Sequence, residues 1–340
     1  MGIKHLNRFF KEESASALKF ISLSELSGKK IAIDISIYMY KYASEDCLIE
    51  NIYLLLSILR HYNIIPIFIF DGKPPPEKKE LLQKRKEDKK GSEEEYNRLK
   101  ETLTINENMD QLEKQEIQNS MDLLKRKFVN IGKKNIELVK SLIRCYGATY
   151  YDAPGEADEL CALLAIKGKV WATLSEDMDM FVYGCPRVIR YISLLNHTAV
   201  LYNLKGILDS LGITQKELRQ ICILSGTDYN MLNHDKTTPN LYSTLKLFKK
   251  YFKNRLKMQT EIHQQTTLEN QNNNLDFYHW LLEKTNYIKD YELLTKIYDI
   301  FDLTNNHDNI KVFESIKITN GPILKNEMRE ILKIDGFLFH

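Results

Sequence analysis

The sequence predicts an α/β fold, a mostly parallel twisted sheet with helices packed around it. Three observations lead there. Short apolar runs at 29–35, 63–70 and 170–174 have the length and the isoleucine, valine and phenylalanine content of buried strands. Helical apolar spacing fills much of the interval between them, as strand-helix-strand units require. The runs also end in or beside acids (Asp34, Asp71, and the Glu176-Asp177-Met178-Asp179 cluster), and the crevice beyond the carboxyl ends of parallel strands is where such sheets bind ligands.

Taken in order, Leu6 to Phe20 carries a short amphipathic pattern ending near Ser22, and the first strand follows at Lys29 to Ile35. Helical residues run from Ser36 to about His61. Asn63 to Phe70 is the second strand, closed by Asp71-Gly72 and the helix-breaking Pro74-Pro75-Pro76. From Glu77 to Lys140 the composition shifts to Lys, Glu, Gln and Asn, too polar for a core element and too helix-prone for a loop. An inserted, solvated helix pair is expected there, with Gly91-Ser92 and Thr104-Ile105-Asn106 as candidate breaks. Leu138, Val139, Leu142 and Ile143 then restore a core-facing stripe before a strand at Tyr150-Tyr151-Asp152. Pro154-Gly155-Glu156-Ala157-Asp158 opens a helix, whose positive end tolerates anions, and Val170 to Leu174 is the strand that precedes Asp177 and Asp179. Further strands are expected at Val188 to Ile192 and Ala199 to Tyr202. Thr214 and Glu217 have capping-box spacing at the head of a helix that runs to Gly226-Thr227-Asp228-Tyr229. Met258 to Leu275 reads as a mobile polar linker, Phe277 to Leu303 as amphipathic helix, and Asn326 to Leu332 as a last short helix.

Singly, these acids have ordinary explanations: first-turn helix residues for Glu156 and Asp158, turn residues for Asp177 and Asp179, caps for Asp34 and Asp71. Gathered at one sheet edge they would repel strongly unless protons or cations neutralised them, and near neutral pH hard divalent ions with oxygen ligands are the obvious partners. Asp228 is a seventh acid of the same kind.

Composition adds limits. The 340 residues hold 48 basic and 46 acidic side chains, so nucleic-acid binding has to come from charge placed locally. Lys78, Lys79, Lys84, Arg85, Lys86, Lys89 and Lys90 form one such concentration. The five cysteines lack C-x-x-C spacing and read as reduced core thiols. No run reaches the roughly 18 apolar residues of a membrane span, and Met1 to Leu6 lacks a signal-peptide apolar region, so a nuclear or cytoplasmic protein without membrane contact is expected.

Met1-Gly2-Ile3, Ala32-Ile33-Asp34-Ile35-Ser36, Phe70-Asp71-Gly72-Lys73-Pro74-Pro75, Ala153-Pro154-Gly155-Glu156-Ala157-Asp158, Glu176-Asp177-Met178-Asp179 and Gly226-Thr227-Asp228-Tyr229 occur in that order. Over most of Met1 to Tyr229 the chain thus resembles the flap endonuclease branch of the xeroderma pigmentosum group G family of structure-specific 5′ nucleases. The resemblance implies a PIN-like sheet and a nuclease core over 1–229, made of an N region (1–75), a helical arch insertion (about 77–135) and an I region (about 136–229). A diverged helix-two-turn-helix at 230–257, the polar linker at 258–275 and a helical region at 276–340 would follow.

It implies that Asp34, Asp71, Glu156, Asp158, Asp177, Asp179 and Asp228 hold two Mg²⁺ ions, replaceable by Mn²⁺, in two-metal phosphodiester hydrolysis. Lys78 and Arg85 would steer the scissile phosphate, Tyr40 would stack a base, and Gly2 would lie against the DNA. Arg126 and Lys127 match basic positions near the second arch helix. The expected substrate is branched DNA with a 5′ single-stranded flap, with accessory 5′-to-3′ exonuclease action in replication, repair or recombination, carried out by a monomer. Two departures stand out. Residues 230–239 lack the family's Gly-x-Gly, leaving Lys236 and Thr238 as the candidate phosphate contacts there. The terminal Asp335 to His340 lacks the sliding-clamp peptide.

Overall fold

The computed structural model describes residues 3–105, 111–230, 239–264, 276–305, 317–334, 336 and 337. Seven strands form one sheet: β1 (Leu18–Ser22), β2 (Lys30–Asp34), β3 (Ile65–Phe70), β4 (Thr149–Asp152), β5 (Ala172–Leu174), β6 (Arg187–Ser193) and β7 (Thr198–Asn203). Their order across the sheet is β1-β7-β6-β5-β2-β3-β4. The run from β4 to β6 is parallel throughout, while β7 returns antiparallel to β6 and β1 lies antiparallel at the edge.

Alternation along the central strands feeds two cores. Ile31, Ile33, Phe68 and Phe70 face one, which is closed by α2 (Ile35–Ser44), α3 (Leu48–His61), α6 (Lys133–Cys145) and Leu332 of α14 (Lys325–Ile334). Ala32, Ile67 and Ile69 face the other, which holds α1 (Leu6–Glu13), α7 (Ala157–Ile166), α8 (Asp179–Tyr183), α9 (Leu204–Leu211), α10 (Gln215–Ser225), α11 (Leu241–Gln264), α12 (Phe277–Lys284) and α13 (Tyr291–Phe301). α4 (Lys79–Ile105) and α5 (Gln111–Lys125) make the inserted helix pair. Among the described residues no helix is long and apolar enough to cross a membrane.

Several boundaries differ from those expected. The amphipathic pattern from Leu6 stops at Glu13, and Leu18–Ser22 is strand, because its backbone is claimed by β7, with Leu18 opposite Tyr202. The helical stretch after Ser36 is two helices: Asp46 adopts φ +55°, a left-handed conformation that Asp tolerates, and the Cys47 N–H turns back to the Tyr42 carbonyl. Gly91-Ser92 does not break α4. Strong helix formers on both sides outweigh the roughly 1 kcal/mol that glycine costs, and Ser92 Oγ donates to the Asp88 carbonyl within the same helix. α4 is described as far as Ile105, and 106–110, where the second candidate break in part falls, lie outside the described residues. The stretch 277–303 is split into α12 and α13, and α11 continues through 258–264, the first part of the expected linker. Its remainder, 265–275, lies outside the described residues. The capping box at Thr214 forms as expected, the Glu217 N–H donating to Thr214 Oγ1 at 3.2 Å and the Thr214 N–H to Glu217 Oε2 at 2.8 Å. All five cysteines are free, with Cys161 and Cys222 fully buried.

Candidate active site

Because β2, β3, β4 and β5 run parallel, their carboxyl ends emerge at one edge of the sheet, and five chain segments bring acids there. Asp34 ends β2 and precedes the first turn of α2. Asp71 lies one residue past β3, where its Oδ1 accepts the Ala157 N–H at 2.9 Å and so ties β3 to the start of α7. Beside it Gly72 donates to the Gly155 carbonyl at 2.8 Å, and a Cβ at Gly72 would sit 1.9 Å from the Ala153 carbonyl oxygen, so no side chain fits this crossing. Glu156 precedes α7 and Asp158 lies in its first turn. After β5, Ser175 Oγ donates to Asp34 Oδ2 at 3.3 Å, and Asp177 Oδ1 accepts the Asp179 N–H at 3.0 Å. Asp228 follows α10, and its Oδ2 accepts from Arg85 Nη2 at 2.7 Å.

The acids share one electrostatic neighbourhood. Burial, and then the charges of Asp71 and Asp177, hold the Asp34 carboxyl well above the usual carboxylate range. Asp179 is raised by burial and then by Asp177 and Asp228, and Asp158 by burial and then by Glu156, with Asp177 and Asp34 adding to it. Each of the seven therefore acts on at least one other. Two cations from the insertion answer them. Lys78 is 5% exposed, and its Nζ lies 2.6 Å from Glu156 Oε2 and 4.0 Å from Asp228 Oδ2. Burial alone would lower the Lys78 ammonium's pKa, but Asp158, Glu156 and Asp228 outweigh it and the net shift is upward.

The family described as XPG N-terminal domain matches residues 1–92, and that described as XPG I-region matches 147–228; together they take in just over half of the chain. The chain belongs to the XPG family. A curated relative, flap endonuclease 1 of Meyerozyma guilliermondii, is 31% identical over an alignment 248 positions long that covers 67% of this chain and 63% of that protein. The chain thus spans just under two thirds of the length of the curated relatives it matches. In fold it resembles the catalytic core of Rad2 in complex with DNA substrate (TM-score 0.62, 22% identity, covering 98% of this chain and 94% of that one). It also resembles flap endonuclease-1 from Methanococcus jannaschii (TM-score 0.51, 20% identity, 94% and 97%).

Whether this XPG chain can hold divalent ions turns on the oxygens left over. Among the described residues no group of three or more His, Cys, Asp or Glu side chains stands as a ready metal cluster. Several acids are already engaged: Glu156 with Lys78 and the Tyr229 hydroxyl, Asp228 with Arg85, Asp71 with the Ala157 amide, Asp158 with the Glu159 amide. Asp34 Oδ1 and Asp179 Oδ1, by contrast, are buried without a hydrogen-bond partner. Orphaned, charge-crowded carboxylate oxygens deep in an acidic edge are what a hard cation would satisfy, so the donor set fits such ions although its members are not drawn into a closed shell.

The residues expected to meet nucleic acid fall in three groups. Lys78 and Arg85 join the acids directly. Tyr40 is 46% exposed, which rules out a core tyrosine, and its ring carries Lys89 Nζ at 5.0 Å from the centroid. Arg126 and Lys127 are exposed in the turn after α5, away from the acids' bonds. Gly2, Lys236 and Thr238 lie outside the described residues. Sequence reasoning missed Tyr229, whose hydroxyl donates to Glu156 Oε2 at 2.9 Å and whose ring has Lys78 Nζ 4.6 Å from its centroid. It also missed the row Lys246, Lys249, Lys250 and Lys253, exposed along α11. Their helical spacing was the available signal.

Proposed function

We propose that the protein is a divalent-metal-dependent, structure-specific 5′ nuclease that hydrolyses phosphodiesters of branched DNA where a 5′ single-stranded flap meets duplex, with 5′-to-3′ exonuclease action as an accessory. One observation carries the reading: seven acids from five segments converge at the carboxyl edge of a parallel sheet, with Lys78, just before α4, and Arg85, on α4, among them. Asp34, Asp71, Glu156, Asp158, Asp177, Asp179 and Asp228 would hold two Mg²⁺ ions, or Mn²⁺ in their place. Such ions supply an activated water and neutralise charge on the attacked phosphate.

The chain's own residues do the rest. Glu156 and Asp228 now neutralise Lys78 and Arg85, and a phosphate oxygen offers these cations an alternative acceptor, so substrate would draw them off the acids at the moment the acids are needed. Tyr40 offers an exposed ring to an unpaired base. The lysines of α11, which lies in the stretch where a diverged helix-two-turn-helix is expected, are spaced to follow a phosphate backbone. Such contacts read shape over base identity, which suits a role in replication, repair or recombination, acting as a monomer in nucleus or cytoplasm.

The test is Asp179→Ala. The nuclease reading predicts that wild type cuts a 5′-flap DNA in Mg²⁺, that the variant does not, and that both bind the flap alike; a DNA-binding factor without catalysis would leave wild type inactive. Comparing a long 5′ flap with nicked, recessed and blunt ends separates a flap nuclease from one that acts mainly as an exonuclease, and an RNA flap tests the sugar.

A further inference from the structure

The four residues Ser175 to Met178 join β5 to α8 and carry Glu176 and Asp177, with Asp179 directly after them. Their hold comes largely from the neighbouring strand. Leu174 pairs with Ile189, so the residues that follow run alongside Arg190 and Tyr191. Here β6 departs from regular pairing. Its register against β7 shifts between Arg190 and Ser193, and Tyr191 takes φ +55°, a left-handed backbone unusual for an aromatic. The irregularity turns the Tyr191 N–H onto Glu176 Oε1 at 2.6 Å.

Arg190, only 5% exposed, spreads its guanidinium over the same loop. Nη2 donates to the Glu176 carbonyl oxygen at 2.9 Å, Nη1 lies against Met178 Sδ and donates to Asn7 Oδ1 at 2.8 Å, and Nε stands 3.5 Å from Glu176 Oε2. Asn7, on α1, also accepts from the Tyr202 hydroxyl at 2.8 Å and donates to the Tyr191 hydroxyl at 2.6 Å.

We propose that Arg190, steadied by Asn7 and the Tyr191 bulge, is a positioning residue that fixes the Glu176–Asp179 loop and thereby presents Asp177 and Asp179 to divalent ions; this rests on the nuclease reading above. Three points separate it from ordinary packing. The guanidinium's donors go to the loop backbone and to Asn7, and the carboxylate nearest to it is Glu176, which is not among the seven acids. Asp179 Oδ1 has no partner of its own, so its placement is set by the backbone beneath it. The strained conformation at Tyr191 serves a bond to the acid loop, and strain of this kind persists where the surrounding structure over-determines it.

The experiment titrates DNA-free protein with Mn²⁺, followed by the electron paramagnetic resonance signal of the free ion, and measures kcat and KM on 5′-flap DNA in parallel. Wild type, Arg190→Met, Arg190→Lys and Asn7→Ala are compared, with thermal melting as the control for folding. Groups that orient metal ligands are commonly worth about 10–100-fold in metal affinity or activity. Arg190→Met should lose that much in both Mn²⁺ affinity and kcat with KM unchanged. Arg190→Lys, which keeps the charge but not the fork, should recover part of the loss. Asn7→Ala should show a smaller loss in the same direction, and serves alone if Arg190→Met does not fold. If wild type binds Mn²⁺ and cleaves while the folded variants match it in Mn²⁺ affinity and kcat, the positioning role is overturned and the nuclease reading stands. A wild type that neither binds Mn²⁺ nor cleaves overturns the nuclease reading, and this role with it.

Discussion

Replacing Asp34 by Asn should stabilise the metal-free protein while abolishing cleavage. Asp34 is 5% exposed, its Oδ1 has no partner, and burial followed by Asp71 and Asp177 raises its carboxyl well above the usual range. For a carboxyl whose folded pKa is raised, the native state favours the neutral form. Its contribution to stability is complete below the unfolded carboxyl's pKa and is lost as pH rises through the folded one. Near neutral pH the wild-type side chain is therefore a cost to folding, whereas Asn has the same shape, no charge, and two N–H donors for the neighbouring carboxylates. A buried polar group left unpaired costs about 1–3 kcal/mol, and relief of that order is expected. Since 1 kcal/mol moves a midpoint by about 2–4 °C in domains of 150–250 residues, Asp34→Asn should melt several degrees above wild type in EDTA at neutral pH. The gap should narrow on acidification, as the wild-type carboxyl takes up its proton. Excess Mn²⁺ should reverse the order, because an ion that binds only the folded state stabilises whichever protein binds it more tightly. A variant that melts below wild type in EDTA, or a gap indifferent to pH, would refute the reasoning.

Two further substitutions probe the crossing beneath the acids and the aromatic beside them. Gly72→Ala places a Cβ 1.9 Å from the Ala153 carbonyl oxygen, so backbone has to move; a loss of about 1–3 kcal/mol is expected by chemical denaturation, with weaker Mn²⁺ binding because Asp71 moves with it. Tyr40→Ala should weaken binding of a 5′-flap DNA by about 1–3 kcal/mol, roughly 5- to 150-fold by fluorescence anisotropy, while Tyr40→Phe keeps the ring and should bind as wild type does.

Much of the site was legible because its acids are punctuation marks of local structure. Asp34 and Asp71 close apolar runs, Glu156 and Asp158 open a helix, and a parallel sheet puts such ends on one edge whatever its strand order. What escaped depends on distant partners. β1 is strand because Leu18–Ser22 meets Thr198–Tyr202, some 180 residues on, and nothing in its own pattern outweighs the helical spacing before it. The resemblance marks Lys78 as a site residue, but not its burial: by composition it is one lysine in a solvated charge run, and Glu156 and Asp228 draw it into the interior. The hold of Arg190 and Tyr191 on Glu176 depends on the register between β5 and β6 and on a bulge, neither of which leaves a mark in composition or period.

The central claim is that acids from five segments form one seat for divalent cations. It is tested most directly by growing crystals in Mn²⁺ and locating the ions by anomalous scattering. The account predicts peaks at the sheet edge in contact with Asp34 Oδ1 and Asp179 Oδ1, with Lys78 or Arg85 displaced from its carboxylate. Crystals that hold no Mn²⁺ at that edge, with Asp34 and Asp179 left as they are, would contradict it.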